Sequence, residues 1–152
     1  MGWRMYNEGD KLWVKLLRAK GLCIQSFLSR GLCYKVGDGR SLNCWADPWL
    51  PFMETFRPKP RILGVEQLQQ PKVSDSVSSQ GGEWNVITLR HLFDDGSVAA
   101  ILRILPPITG CSDKPQWMLS IKRELSVRDA YELIIKEHPP PCLFRIGEDF
   151  GN

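Results

Sequence analysis

Leu12, Trp13, Leu16 and Leu17 fall on one side of a helical projection, and Lys11, Lys15 and Arg18 fall on the other at i, i+4, i+7. Asp10 is placed to cap this helix, and the pattern predicts that it runs to about Lys20, where Gly21 supplies a stop. A second short helical piece is predicted over Leu22 to Ser29. The period then changes from 3.6 to 2. Leu32, Tyr34 and Val36 alternate onto one face, and Leu42 and Cys44 are positioned to answer them across Gly37-Asp38-Gly39. Those glycines permit the positive φ of a tight reversal, so the segment predicts a β-hairpin. Trp45 and Trp49 bracket Asp47-Pro48, where proline fixes the chain direction and ends the strand.

The pattern lapses over residues 51–83. Pro51, Pro58, Pro60 and Pro71 interrupt it, and Ser74 to Gly82 is polar. The span reads as a long surface linker, with its order left open. Apolar periodicity returns at Trp84. Asn85 is placed to cap a helix carrying Val86, Leu89 and Phe93. Asp94-Asp95 can cap the next, with Val98, Ile101, Leu102 and Leu105 as its apolar positions and Pro106-Pro107 as its stop. A short strand is predicted near Gln116–Ile121. Ser126 then caps a final helix with Val127, Ala130, Tyr131 and Ile134 on one face. The predicted fold class is α+β: a small, mostly helical domain with one N-terminal hairpin and short strands. Its organisation reads as a basic helix-plus-hairpin module over 1–50, the linker over 51–83, a helical module over 84–137 and a tail over 138–152.

Composition changes this picture little. A 43% hydrophobic share and 24% charge across 152 residues are globular values. Charge distribution says more. Residues 1–61 hold eleven Lys/Arg against five Asp/Glu, a balance of +6, and residues 62–152 hold nine against twelve, a balance of −3. A basic N-terminal half suits a polyanion, although a solvated basic face has the same composition. The five cysteines are irregularly spaced and form no C-x-x-C pair, which argues against a zinc knuckle. With no secretory signal and no apolar run of spanning length, the expectation is reduced thiols in a nuclear or cytoplasmic protein without a membrane partner.

Candidate chemistry is sparse. Asp94-Asp95 after Phe93 has the form of a polymerase metal pair, but that pair requires a strand hairpin, and here it sits between helical patterns. Helix capping explains it better. Two-metal nuclease chemistry needs about four convergent carboxylates, and these acids are scattered. His91 and His138 have no neighbouring nucleophile or orienting acid. Gly37-Asp38-Gly39-Arg40 lacks the Lys-Ser/Thr step of a phosphate loop. Trp3, Trp13, Trp45 and Trp49 lie among cations, a pattern that suits base stacking, but Trp is costly to leave exposed and a mainly structural role in a small core is the expected reading.

One stretch carries a family likeness. Ser29 to Gly39, leading into Trp45-Ala46-Asp47-Pro48-Trp49-Leu50-Pro51, resembles the connector after the polymerase region of plant non-LTR (LINE-type) retrotransposon polyproteins. Gly2-Trp3-Arg4-Met5 and Leu12 to Lys20 resemble the helical segment before it. Val73-Ser74-Asp75, Trp84-Asn85, Leu92-Phe93, Asp113, Trp117 and Ser126 to Tyr131 follow in the family's order. The likeness covers residues 1 to about 136. It departs at Arg123, where the family usually carries glycine. It implies a fragment without the palm that precedes this segment or the zinc-binding and ribonuclease H domains that follow it. The expected role is therefore non-catalytic: auxiliary binding of RNA or RNA–DNA hybrid, with no cofactor, metal or small-molecule substrate. Lys11, Lys15, Arg18, Lys35, Arg40, Trp45 and Trp49 are the candidate contacts. The alternatives are a structural module that contacts other polyprotein domains, and a truncated product of a decaying element.

Overall fold

The computed structural model describes residue 15 and residues 18–137. The elements run α1 (Ile24–Leu28), β1 (Leu32–Lys35), α2 (Val65–Leu68), a 3-10 turn (Val73–Ser76), α3 (Val86–Leu92), α4 (Asp95–Ile101), β2 (Lys114–Trp117) and α5 (Val127–Glu137). This is the expected α+β class. Lys15, Arg18 and Ala19 are helical, and Gly21 follows with φ 67. Lys20 is already in a turn, and residues 10–14, 16 and 17 of the predicted first helix lie outside the described residues, as does the tail.

The predicted local hairpin does not form. β1 pairs antiparallel with β2, in the register Leu32↔Trp117, Cys33↔Gln116, Tyr34↔Pro115 and Lys35↔Lys114. Leu42 to Cys44 turn instead toward residues 71–73, through Cys44 N–H to the Pro71 carbonyl and Val73 N–H to that of Leu42, both at 3.0 Å. Two networks account for this, one local and one long-range. The Asp47 carboxylate accepts from Asn43 N–H, while Asn43 Oδ1 accepts from the N–H groups of Trp45 and Ala46. Asn43 is thereby locked into a turn of its own. On the near side, the backbone of residues 37–41 donates to a distant carboxylate rather than across a hairpin.

The caps follow the sequence. Asn85 accepts from Thr88 N–H and Asp94 from Ser97 N–H, which satisfies helix donors that would otherwise be orphaned. Ser126 and Asp129 form a reciprocal capping box on α5. α4 ends at Ile101, earlier than predicted, so Leu102 and Leu105 are exposed. Pro106-Pro107 therefore lie beyond the helix.

Two apolar clusters fill the interior. The larger joins Leu42, Cys44, Trp49 and Leu50 to Val73 and to Leu89, Phe93 and Ile101 of the α3–α4 region. Residues 51–83, expected as a linker, are mostly irregular in backbone but bury Val73 completely. The smaller cluster packs α1 and α5 onto the Leu32–Trp117 face of the ribbon, with Phe27 stacked on Trp117 at 5.5 Å. Tyr34 touches both clusters. An ion pair between Arg30 and Glu137 joins the start of the ribbon to the end of α5.

Arg123 has φ 59. Left-handed backbone costs an L-residue roughly 1–2 kcal/mol, a cost glycine avoids. Arg123→Gly is therefore expected to stabilise the chain by about 0.5–1 kcal/mol, the entropy of the unfolded glycine offsetting part of the gain. Arg123→Val should do the reverse. Urea unfolding midpoints check both signs.

Candidate nucleic-acid interface

The Gly37–Ser41 loop is a clasp closed on Asp113. One Asp113 oxygen accepts from Gly37 N–H at 2.7 Å and Gly39 N–H at 2.9 Å, and the other accepts from Ser41 N–H at 3.3 Å and Ser41 Oγ–H at 2.6 Å. Successive backbone N–H groups facing one point make an anion-binding concavity. Here the chain's own carboxylate fills it, so the loop is no phosphate site. The two glycines serve different needs. Gly39 has φ 69, whereas a Cβ on Gly37 would meet the Ser112 carbonyl oxygen at 2.3 Å. The clasp thereby fixes the segment leading into β2 against the segment leaving β1.

That register decides which side chains meet. Leu32 and Trp117 share the buried face of the ribbon. Lys35 and Lys114 lie directly across from each other and are both exposed. They line a groove of about 620 Å³ whose other walls include Val36, Ile104, Leu105, Ile108, Cys111 and Gln116. Among the described residues neither lysine has an ion-pair partner. Pro51 and Ile104 also line the groove, and their chain neighbours Phe52 and Arg103 form a stacked pair, the guanidinium carbon 3.8 Å from the ring centroid. Phe52 is 47% exposed.

The seven sequence candidates are dispersed. Lys35 and Trp49 both border the groove. Arg40 is exposed in the clasp, its N–H donating to Asp38. Lys15 and Arg18 are exposed on helix, and Lys11 lies outside the described residues. Trp49 is 0% exposed and donates from Nε1 to the Cys44 carbonyl, so it has no free face for a base. Trp45 is half-buried, edge-on to Phe93 at 4.8 Å, with Nε1 donating to the Gln69 carbonyl. Lys114, Arg103 and Phe52 escaped sequence reasoning. Lys114 joins Lys35 only through a non-local strand pairing, Phe52 sits where periodicity lapses, and Arg103 falls in the predicted helix beyond the point where the observed α4 ends.

Asp94 caps α4, while Asp95 is the first residue of that helix and is exposed. Among the described residues, no group of three His, Cys, Asp or Glu side chains is placed to hold a metal ion. No helix among them is long and apolar enough to cross a membrane. Burial pushes the Cys33 and Cys44 thiols up from 9.0 to about 12, against small downward pulls from Arg123 on Cys33 and the Ser76 hydroxyl on Cys44. Burial, with the Asp47 charge second, also raises Tyr34.

The sign of the pH effect follows from these shifts. Above about pH 9 the unfolded chain ionises its thiols while the folded chain keeps Cys33 and Cys44 protonated, so folded protein binds more protons. Their contribution is complete below about 9 and is lost as pH rises toward about 12. Stability should fall there by roughly 1 kcal/mol per pH unit for each thiol. Urea unfolding at stepped alkaline pH, repeated on Cys33→Ala and Cys44→Ala, checks this: each substitution should flatten the decline.

No family model matches the chain, and no solved structure matches it. A curated relative does: an Arabidopsis thaliana protein named "Putative ribonuclease H protein", 23% identical over 186 aligned residues. The chain is thus similar along 96% of its length to a stretch that spans 29% of that plant protein.

Proposed function

We propose that this chain is a non-catalytic module of a retroelement polyprotein that helps hold RNA or RNA–DNA hybrid through the sugar–phosphate backbone. The observation that carries the reading is the exposed pair Lys35–Lys114, held face to face across the ribbon. Like charges directly opposite on paired strands destabilise them, and a bound phosphate relieves that repulsion. The exposed Lys15 and Arg18 and the surplus of cations in residues 1–61 extend the same chemistry. The ribonuclease H name of the plant relative supports a nucleic-acid setting. The reading gives this chain no bond-breaking step. Polymerase or nuclease activity from the purified protein would overturn it.

Fluorescence anisotropy with labelled RNA and RNA–DNA hybrid tests the reading. Each cation that meets a phosphate releases counterions, so affinity should fall with salt. Changing Lys11, Lys15 and Arg18 together to glutamine should weaken binding about tenfold at low salt and flatten its salt dependence. Unchanged affinity would contradict a backbone-holding role for the N-terminal cations. Salt-insensitive binding to a protein domain, with none to RNA, would give the protein-interaction reading instead.

A further inference from the structure

The groove beside the β1–β2 ribbon combines features that a paired helix does not use. One rim carries Lys35 and Lys114. Its walls are largely apolar, and Leu105 and Ile108 are 80% and 57% exposed. The Arg103–Phe52 stack is made by the chain neighbours of Ile104 and Pro51 and is not part of the groove wall. A duplex presents phosphates and base edges, and its base faces are hidden in the stack. An unpaired strand presents flat faces that pack on apolar and aromatic surfaces or on guanidinium planes. A groove of about 620 Å³ has the size that takes a small ligand, far too narrow for a double helix.

We propose that this groove binds a short single-stranded stretch of nucleic acid, with phosphates on Lys35 and Lys114 and an unpaired base against the Leu105–Ile108 wall. This rests on the backbone-holding role argued above and adds a strand preference. A purely acidic peptide would satisfy the lysines but offers no flat apolar face to the exposed Leu105–Ile108 wall.

Cys111 provides the readout, because it lines the groove and its thiol is exposed, whereas the exposed Cys23 lies away from the groove. The full chain is treated with N-ethylmaleimide, with or without a saturating ten-nucleotide oligouridylate, and alkylation is followed peptide by peptide by mass spectrometry. Cys111 should react about fivefold more slowly with the oligonucleotide bound, as close packing excludes the reagent, and Cys23 should be unaffected. In anisotropy, Lys35→Gln/Lys114→Gln should weaken the single strand about tenfold, and the unaltered chain should bind the single strand more tightly than a hybrid of equal length. Both lysines are exposed, so circular dichroism should report an unchanged fold.

Unprotected Cys111 together with wild-type affinity in the double variant would overturn the groove assignment while leaving binding through other cations intact. Equal affinity for single strand and hybrid would overturn the strand preference. Protection by a glutamate decapeptide but not by RNA would replace nucleic acid with an acidic peptide. No binding to either nucleic acid would remove this proposal and the reading beneath it together.

Discussion

Gly37→Ala is expected to cost about 3 kcal/mol or more, at the upper end of what overpacking usually costs. The added methyl would lie 2.3 Å from the Ser112 carbonyl oxygen, 2.4 Å from its carbon and 2.5 Å from the Cys111 carbonyl oxygen. All three are backbone atoms, so no side chain can swing aside. Relief requires moving residues 111–113. That displacement would draw Asp113 away from the clasp and disturb the start of β2. It would also strain the bond from Ile108 N–H to the Gly37 carbonyl, now 2.8 Å. Gly81→Ala is the matched control. Gly81 has φ 74, but nothing lies within 4 Å of its added Cβ, so backbone strain of about 1 kcal/mol is all that it should show. Urea unfolding followed by Trp fluorescence separates the two, and equal midpoints would mean that the close approach at Gly37 is absent.

Asp113→Ala should cost about 2–3 kcal/mol. Four donors converge on this carboxylate: three backbone N–H groups and the Ser41 hydroxyl. Charge-assisted bonds of this kind are worth about 1.5–3 kcal/mol each in mutational series, but this site is partly exposed, and water recovers much of that sum. Asp113→Asn keeps the shape and one good acceptor, so about half the loss is expected. Because Gly37→Ala already opens the clasp, the double variant should be clearly less destabilised than the two single losses would add to. That shortfall is the signature of residues acting through one contact. Strict additivity in a two-state unfolding experiment would count against the clasp as a single unit.

The clasp also shows where sequence reading succeeds and where it stops. Caps are local: Asn85, Asp94 and Ser126 each satisfy donors within three residues, so their roles were legible from the chain. The Leu32–Lys35 strand was legible too, because alternation depends only on the chain itself. Its partner was not. Leu42 and Cys44 offered a nearby match across a turn-forming Gly-Asp-Gly, and local chemistry favoured that pairing. The actual competitor lies 74 residues from Gly39, where a carboxylate draws the loop open. Nothing in periodicity reports a side chain that far away. Hydrogen bonds from Gly37 and Gly39 to Asp113 join two segments that periodicity leaves apart.

The candidate site follows the same rule. Lys35 was named from charge, whereas Lys114 becomes its neighbour only through the non-local strand pairing. Trp49 was named as a stacking residue because Trp among cations has two uses. Its complete burial gives the core use priority. Arg123 stands where the resembling polyproteins usually carry glycine, and its φ of 59 is backbone that glycine favours.

The salt dependence of RNA binding by the intact chain tests the functional account most directly. A module that holds single-stranded RNA by phosphate contacts from Lys35, Lys114 and a few neighbouring cations should give log K falling linearly with log salt, with a slope of about −2 to −4. Lys35→Gln/Lys114→Gln should make that slope shallower by about 1–2. A flat salt response, or no measurable RNA binding at low ionic strength by folded protein, would contradict the account.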